Sequence, residues 1–189
     1  MPNKIFAFVG TTASGKTYYS KHLVEKYGMR YIPSVTTRPP RPGNLDEYRH
    51  VTKEEFENLI EAGHIFEFST HNGYYYGKTH NDIESNLALN HSVYTITADR
   101  VNRLKEKYPE TIVIVVTIEE PIIENTLKRL KNRGHNEAEI KAKLTTIEQD
   151  LADIEVLKEA DLVDHILETV QGDKNLAFAD VERIAENHL

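Results

Sequence analysis

Short blocks of apolar, β-prone residues recur along this chain, separated by polar stretches with helical spacing. The first block, Ile5 to Val9, runs into a glycine-bounded loop. Behind the loop, Tyr19, Leu23 and Tyr27 recur at about one helical turn, and Gly28 reads as the C-cap of that helix. Thr52-Lys53-Glu54-Glu55 is a capping box opening an amphipathic helix with Phe56, Leu59 and Ile60, which stops at Gly63. His64 to Ser69 alternates like a strand, Asn72-Gly73 signals a turn, and Tyr74 to Gly77 reads as the returning strand. A helix from Asn81 to Asn90 leads to a strand, Ser92 to Thr97, and another helix runs from Asp99 to Lys107. Thr111 to Thr117 is an almost unbroken β-branched run, suited to the middle of a parallel sheet covered on both faces. Pro121 sits near the first turn of a helix carrying Leu127, Leu130 and Arg129 to Arg133-Gly134. The charged stretch Glu137 to Glu159 is helical, Leu162 to Leu167 is a last strand, and Leu176 to Asn187 a last helix.

Strands alternating with helices predict an α/β fold, a parallel sheet flanked by helices with right-handed crossovers. Two blocks break the alternation. Residues 33–80 combine prolines with a hairpin and read as an inserted, mixed α/β, acceptor-binding subdomain. Residues 127–146 read as a mobile helical lid. The expected organisation is a single domain, with core segments 1–32, 81–126 and 147–189.

Composition changes this picture little. The 189 residues are 39% hydrophobic and 28% charged, an ordinary globular balance for one domain. A net charge of −7 argues against a general nucleic-acid or anionic-membrane surface. With no cysteine, disulfide and thiol chemistry drop out. The start, Met1-Pro2-Asn3-Lys4, lacks the apolar stretch of a signal peptide, and Ile112 to Val116 is far too short to span a bilayer. A cytoplasmic protein is expected, with no nucleic-acid or membrane partner, and nothing chooses between monomer and homodimer. The nine histidines lack metal-ligand spacing, so a structural metal is not expected.

The chemistry concentrates in Gly10-Thr11-Thr12-Ala13-Ser14-Gly15-Lys16-Thr17. Strand, glycine-bounded loop and helix together form the context of a phosphate-binding loop. Gly10 and Gly15 let the backbone turn and approach an anion, and the loop amides sit at the positive end of the helix. Lys16 can reach the β- and γ-phosphates, and the Thr17 hydroxyl can ligate Mg²⁺. These residues point to binding of a nucleoside triphosphate.

A second candidate site lies in Tyr31 to Gly43, where prolines favour extended backbone. In a polyproline-like conformation Arg38 and Arg41 project from one side, about 9 Å apart along the axis, and two guanidinium forks can hold a phosphate or carboxylate. A solvated basic loop or a PxxP ligand for a partner domain fits this stretch alone equally well.

Taken together, the loop, the double-arginine segment and the hairpin resemble guanylate kinase over nearly the whole length. The match is most specific at Ser34 to Gly43, at Ile65-Phe66-Glu67-Phe68 and at Gly73 to Gly77. The resemblance implies a P-loop ATP site, a monophosphate-binding domain and a closing lid, with transfer of the ATP γ-phosphoryl group to GMP or dGMP in the presence of Mg²⁺. It implies that Arg38, Arg41, Tyr48 and Tyr76 bind the acceptor phosphate, and that Ser34 and Glu67 read the guanine. Arg129 and Arg133, in the family's Arg-Leu-x-x-Arg-Gly pattern, would stabilise the phosphoryl group in flight and arrive only on closure. The implied catalytic set is Lys16, Arg38, Arg129 and Arg133. The chain departs from the family at Thr95 and Thr97, where aspartates are usual, at Lys78, where a guanine-contacting serine is usual, and at Lys143, where an arginine is usual. A same-build kinase for another mononucleotide or a ribose phosphate is the first rival. A non-catalytic guanylate-kinase-like binding module is the second.

Overall fold

The structure, a computed structural model, describes residues 2–40, 48–71, 73–170 and 174–189. In chain order its elements begin with β1 (Ile5–Val9), α1 (Lys16–Tyr27), β2 (Arg30–Tyr31), β3 (Ser34–Thr36), β4 (Tyr48–His50) and α2 (Lys53–Glu61). There follow β5 (Ile65–His71), β6 (Tyr74–Thr79), α3 (His80–Leu89), β7 (Ser92–Thr95) and α4 (Val101–Lys107). The remainder is β8 (Ile112–Ile118), α5 (Ile122–Asn132), α6 (Glu137–Leu144), α7 (Ile147–Glu159), β9 (His165–Thr169) and α8 (Lys174–Glu186). They divide into two compact units, residues 1–3 with 30–92 and residues 4–29 with 93–189.

The larger unit holds strands in the order β7-β1-β8-β9, with β1 parallel to β8 and β8 parallel to β9. Every residue of β1 is buried, and so are Ile112 to Val116, which explains the β-branched run: this strand has no wet face. Gly28 caps α1 as expected, left-handed at φ 66°, with its N–H donating to the Val24 carbonyl. On the surface between α1 and α8, the Phe178 ring stacks on His22 at 4.0 Å, and His22 meets Glu182 at 2.7 Å.

Two expected boundaries move, each for a side-chain reason. The last strand starts at His165 rather than Leu162, because the Asp164 carboxylate accepts from the Val113 N–H at 2.7 Å and from Lys105 at 2.9 Å, fixing the entry to β9. The helix expected over 137–159 breaks in two at Thr145 and Thr146. Their hydroxyls donate back to the carbonyls of Ala142 (2.8 Å) and Lys143 (3.1 Å), offering the backbone an alternative to helix.

The smaller unit is built on a mixed sheet of order β4-β3-β6-β5. β3 runs parallel to β4 and antiparallel to β6, and β5 and β6 form the expected hairpin. One sheet face is apolar: Phe56 of α2 packs on Tyr75 at 5.2 Å and on Phe68 at 6.0 Å between ring centroids. A Cβ on Gly77 would lie 2.8 Å from the Glu67 carbonyl and 3.0 Å from Phe56, so glycine lets these layers close. The Thr52–Glu55 capping box is formed in both directions. Helix α3, which the sequence reading assigned to the core, belongs to this unit: the Thr79 hydroxyl at the end of β6 caps it by accepting from the Asp82 N–H at 3.0 Å.

Candidate active site

In the larger unit, the loop after β1 is held in a conformation only its sequence allows. Gly10 has φ 155°, and a Cβ there would fall 2.2 Å from the Val116 carbonyl oxygen. Gly15 has φ 109°, and a Cβ there would meet the Tyr19 ring at 2.8 Å. Between them Ala13 takes φ 61°, the left-handed region that a residue with a side chain enters only under constraint. Thr11, Ala13 and Ser14 are buried, Thr12 is half-buried, and the Ser14 hydroxyl has no hydrogen-bond partner among the described residues.

The Lys16 ammonium curls back over this loop and donates to the carbonyls of Gly10 (2.7 Å) and Thr11 (2.8 Å). Burial lowers its pKa from 10.5 to about 8, with Arg133 pushing the same way and Asp150 opposing. Asp150, in the first turn of α7, is a neighbour of the loop that the sequence reading passed over inside a charged run. Thr17 stands half-buried in the first turn of α1, its carbonyl accepting from the Ser20 hydroxyl at 3.1 Å.

The two arginines of α5 stand differently. Arg129 was expected to arrive only on closure, yet it already lies against the loop. Its guanidinium donates to the carbonyls of Ala13 (3.3 Å) and Ser14 (3.4 Å), and to the Thr169 hydroxyl (2.9 Å) and carbonyl (2.7 Å). Burial lowers its pKa, while Tyr19 and Glu119 hold it up. Leu130 of α5 and Ile140 of α6 pack on Ala13, with Leu127 and Leu144 beside them, so the segment expected as a lid rests on the loop through an apolar seam. Arg133, the C-cap of α5, is exposed and adds positive potential at both Lys16 and Arg129.

In the smaller unit, register collects the other candidates on the polar face of the sheet. Paired residues share a face, and residues two apart on a strand do too. Ser34 pairs with Tyr48 and Glu67 with Lys78, while Tyr76 lies two residues before Lys78 on β6. The Arg38 guanidinium sits over the Tyr48 ring at 5.0 Å and the Tyr76 ring at 5.7 Å, and these rings meet edge to face at 6.2 Å. Its Nε and Nη2 are buried with no hydrogen-bond partner among the described residues. Two buried guanidinium nitrogens left unpaired are costly, and an anion is one partner that would satisfy them. Arg41 lies outside the described residues. Ser34 and Glu67 are half-buried.

Lys78 behaves unlike a surface lysine. It is 1% exposed, its ammonium donates to the Ile32 carbonyl, and it lies 5.6 Å from the centre of the Tyr31 ring. In the larger unit, Thr95 ends β7 half-buried and Thr97 is exposed. Asp99 does not stand in for the missing aspartates: its side chain is 54% exposed and meets Arg100 at 3.4 Å.

With this geometry in view, comparison with known proteins is direct. The sequence profile of guanylate kinase matches residues 3–173. The chain belongs to the guanylate kinase family. Similar relatives include the guanylate kinase of Symbiobacterium thermophilum, 36% identical over 76% of this chain and 71% of that one. The guanylate kinase of Streptococcus agalactiae is 29% identical over 96% of this chain and 85% of its own. The crystal structure of guanylate kinase from Anaplasma phagocytophilum superposes with a TM-score of 0.68 at 19% identity, covering 99% of this chain and 85% of that one, which supports the fold.

One residue on this face was not a candidate from the sequence. His50 lies on β4 two residues from Tyr48 and pairs with Thr36, so it shares the polar face. Its Nδ1 contacts the Arg38 carbonyl at 2.6 Å, and its Nε2 is buried without a partner among the described residues. The β-prone alternation Tyr48-Arg49-His50 was the available signal, but it does not say that the strand lies parallel beside β3.

Proposed function

We propose that this enzyme transfers the γ-phosphoryl group of ATP to GMP or dGMP, with Mg²⁺, giving ADP and GDP or dGDP. The observation that carries the reading is the Arg38 socket: two buried guanidinium nitrogens with no hydrogen-bond partner among the described residues, framed by Tyr48 and Tyr76. Such a socket fits the phosphate of a mononucleotide, and the intact loop of the other unit fits a triphosphate.

The donor is held by the loop amides and Lys16, whose ammonium exchanges the Gly10 and Thr11 carbonyls for phosphate oxygens. Arg129 is a positioning residue: it braces the loop at Ala13 and Ser14 against Thr169. Arg133, exposed and cationic, is the arginine free to meet charge on the phosphoryl group. Among the described residues no cluster of three or more His, Asp or Glu side chains is suited to a metal ion. The donor set therefore fits Mg²⁺ taken with the nucleotide, one ligand coming from the Thr17 hydroxyl and the rest from phosphates and water. When bound, that ion neutralises charge on the β- and γ-phosphates.

On the acceptor side, Arg38, Arg41, Tyr48 and Tyr76 hold the phosphate, while Ser34 and Glu67 face the base. A carboxylate only accepts hydrogen bonds, which suits the N1–H and N2–H donors that guanine presents together. A phosphate oxygen of the acceptor attacks Pγ, and the bond from Pγ to the β,γ-bridging oxygen breaks, leaving ADP. The attacking oxygen is already an oxyanion, so no general base is required.

The test is ADP release across GMP, dGMP, AMP, CMP, UMP and ribose 5-phosphate. Turnover with GMP or dGMP at least about a hundredfold above the others is expected, the discrimination available when a site built for particular donors is offered a base lacking them. Preference for another acceptor, or none, overturns the assignment.

A further inference from the structure

We propose that His50 is a further ligand of the acceptor phosphate, acting as an imidazolium that donates through Nε2–H. The inference rests on the acceptor reading above and extends it to a residue for which that reading has no task.

The geometry fixes the ring's chemistry. Nδ1 faces the Arg38 carbonyl at 2.6 Å, and a carbonyl only accepts, so Nδ1 carries a hydrogen. That bond orients the ring and leaves Nε2 as its remaining polar atom, buried and without a partner among the described residues. A buried polar atom left unpaired calls for an explanation. Within this unit, the other buried side-chain atoms without a hydrogen-bond partner among the described residues are Nε and Nη2 of Arg38, whose own backbone carbonyl holds the imidazole. The Tyr48 ring neighbours both groups, 6.2 Å from the imidazole centroid and 5.0 Å from the guanidinium carbon. Groups facing His50 from the neighbouring elements are Arg38 beyond β3, Thr36 on β3, Tyr48 on its own strand and, past Tyr48, Tyr76 on β6.

A single anion within reach of both groups would satisfy Arg38 and His50 together. For Nε2 to donate while Nδ1 stays on its carbonyl, both nitrogens must be protonated, and the ring is then a cation.

Two amide variants separate the ring's two nitrogens. His50→Asn keeps an N–H in the place of Nδ1 and loses Nε2, whereas His50→Gln keeps a donor near Nε2 and gives up the bond to the Arg38 carbonyl. GMP binding is measured calorimetrically without ATP at pH 6.5. An ATP-induced rise in melting temperature verifies that each variant is folded. The expected result is a rise in GMP Kd of about tenfold or more in His50→Asn, the size of one charge-assisted hydrogen bond. His50→Gln should stay within about threefold of the wild type, since the neutral amide still donates. Wild-type affinity in His50→Asn reduces the residue to a prop for the Arg38 backbone and overturns the proposal, as do equal losses in both variants. Failure of the wild type to bind any nucleoside monophosphate defeats the acceptor reading itself, a different outcome from either.

Discussion

Lys16 shows how one side chain can tie affinity to pH. In the free protein its ammonium is enclosed by the loop and bonded only to carbonyls, so its pKa falls to about 8. The unfolded chain keeps that proton up to its ordinary value of 10.5. Between these two values the unfolded state binds more protons, so this residue's contribution to the stability of the free protein rises with pH. ATP reverses the preference, because phosphates favour the charged amine. Binding near pH 8 should therefore take up a proton, and ATP Kd should weaken about tenfold from pH 7 to pH 9 as the charged fraction drops. Calorimetry in paired buffers measures both. A Kd that is flat over this range would show that the ammonium is not what holds the phosphates.

At the scale of elements, α5 carries two arginines four residues apart with opposite surroundings. Arg129 donates to four acceptors on the loop and β9, whereas Arg133 is exposed at the helix end. Arg129→Ala strips a charged donor from those carbonyls and should lower the melting temperature by about 5 °C, from a loss near 2 kcal/mol. Arg133→Ala should leave the melting temperature within about 1 °C, as exposed substitutions do, and lower kcat by about a hundredfold or more. Thermal melts beside steady-state kinetics separate the two, and matching profiles would overturn the division of roles. The same helix marks where sequence reading stops. Gly10, Gly15, Gly28 and the Thr52–Glu55 box could be read directly, because each answers a local backbone demand met within a few residues. The docking of Arg129 on Thr169 spans 40 residues and depends on the register of β9 beside β8, whose start Asp164 fixes from outside the strand. His50 was illegible for a related reason. Its meaning comes from the parallel pairing of β3 with β4, and no local pattern announces a parallel partner.

For the molecule as a whole, the two compact units divide the candidate residues between them. Residues 4–29 with 93–189 carry the loop, Lys16, Arg129 and Arg133, while residues 30–92 carry Arg38, Tyr48, His50, Glu67 and Tyr76. Each unit has its own hydrophobic support: β1 and β8 beneath the loop, and Phe56 with Phe68 and Tyr75 behind the acceptor sheet. A ligand stabilises the state it binds by mass action, and the amides that slow first are those whose local opening breaks its contacts. Saturating ATP should therefore slow hydrogen exchange by about tenfold or more over 10–20 and around Arg129, with little change over 48–50 and 65–79. GMP alone should give the converse, with protection on β3, β4 and β6 and the loop amides unchanged. Exchange measured by mass spectrometry after proteolysis resolves these segments. GMP protection falling on the loop rather than around Arg38 would place the acceptor on the wrong unit. Protection by both nucleotides over the same amides would mean that the two anion sites are not separate.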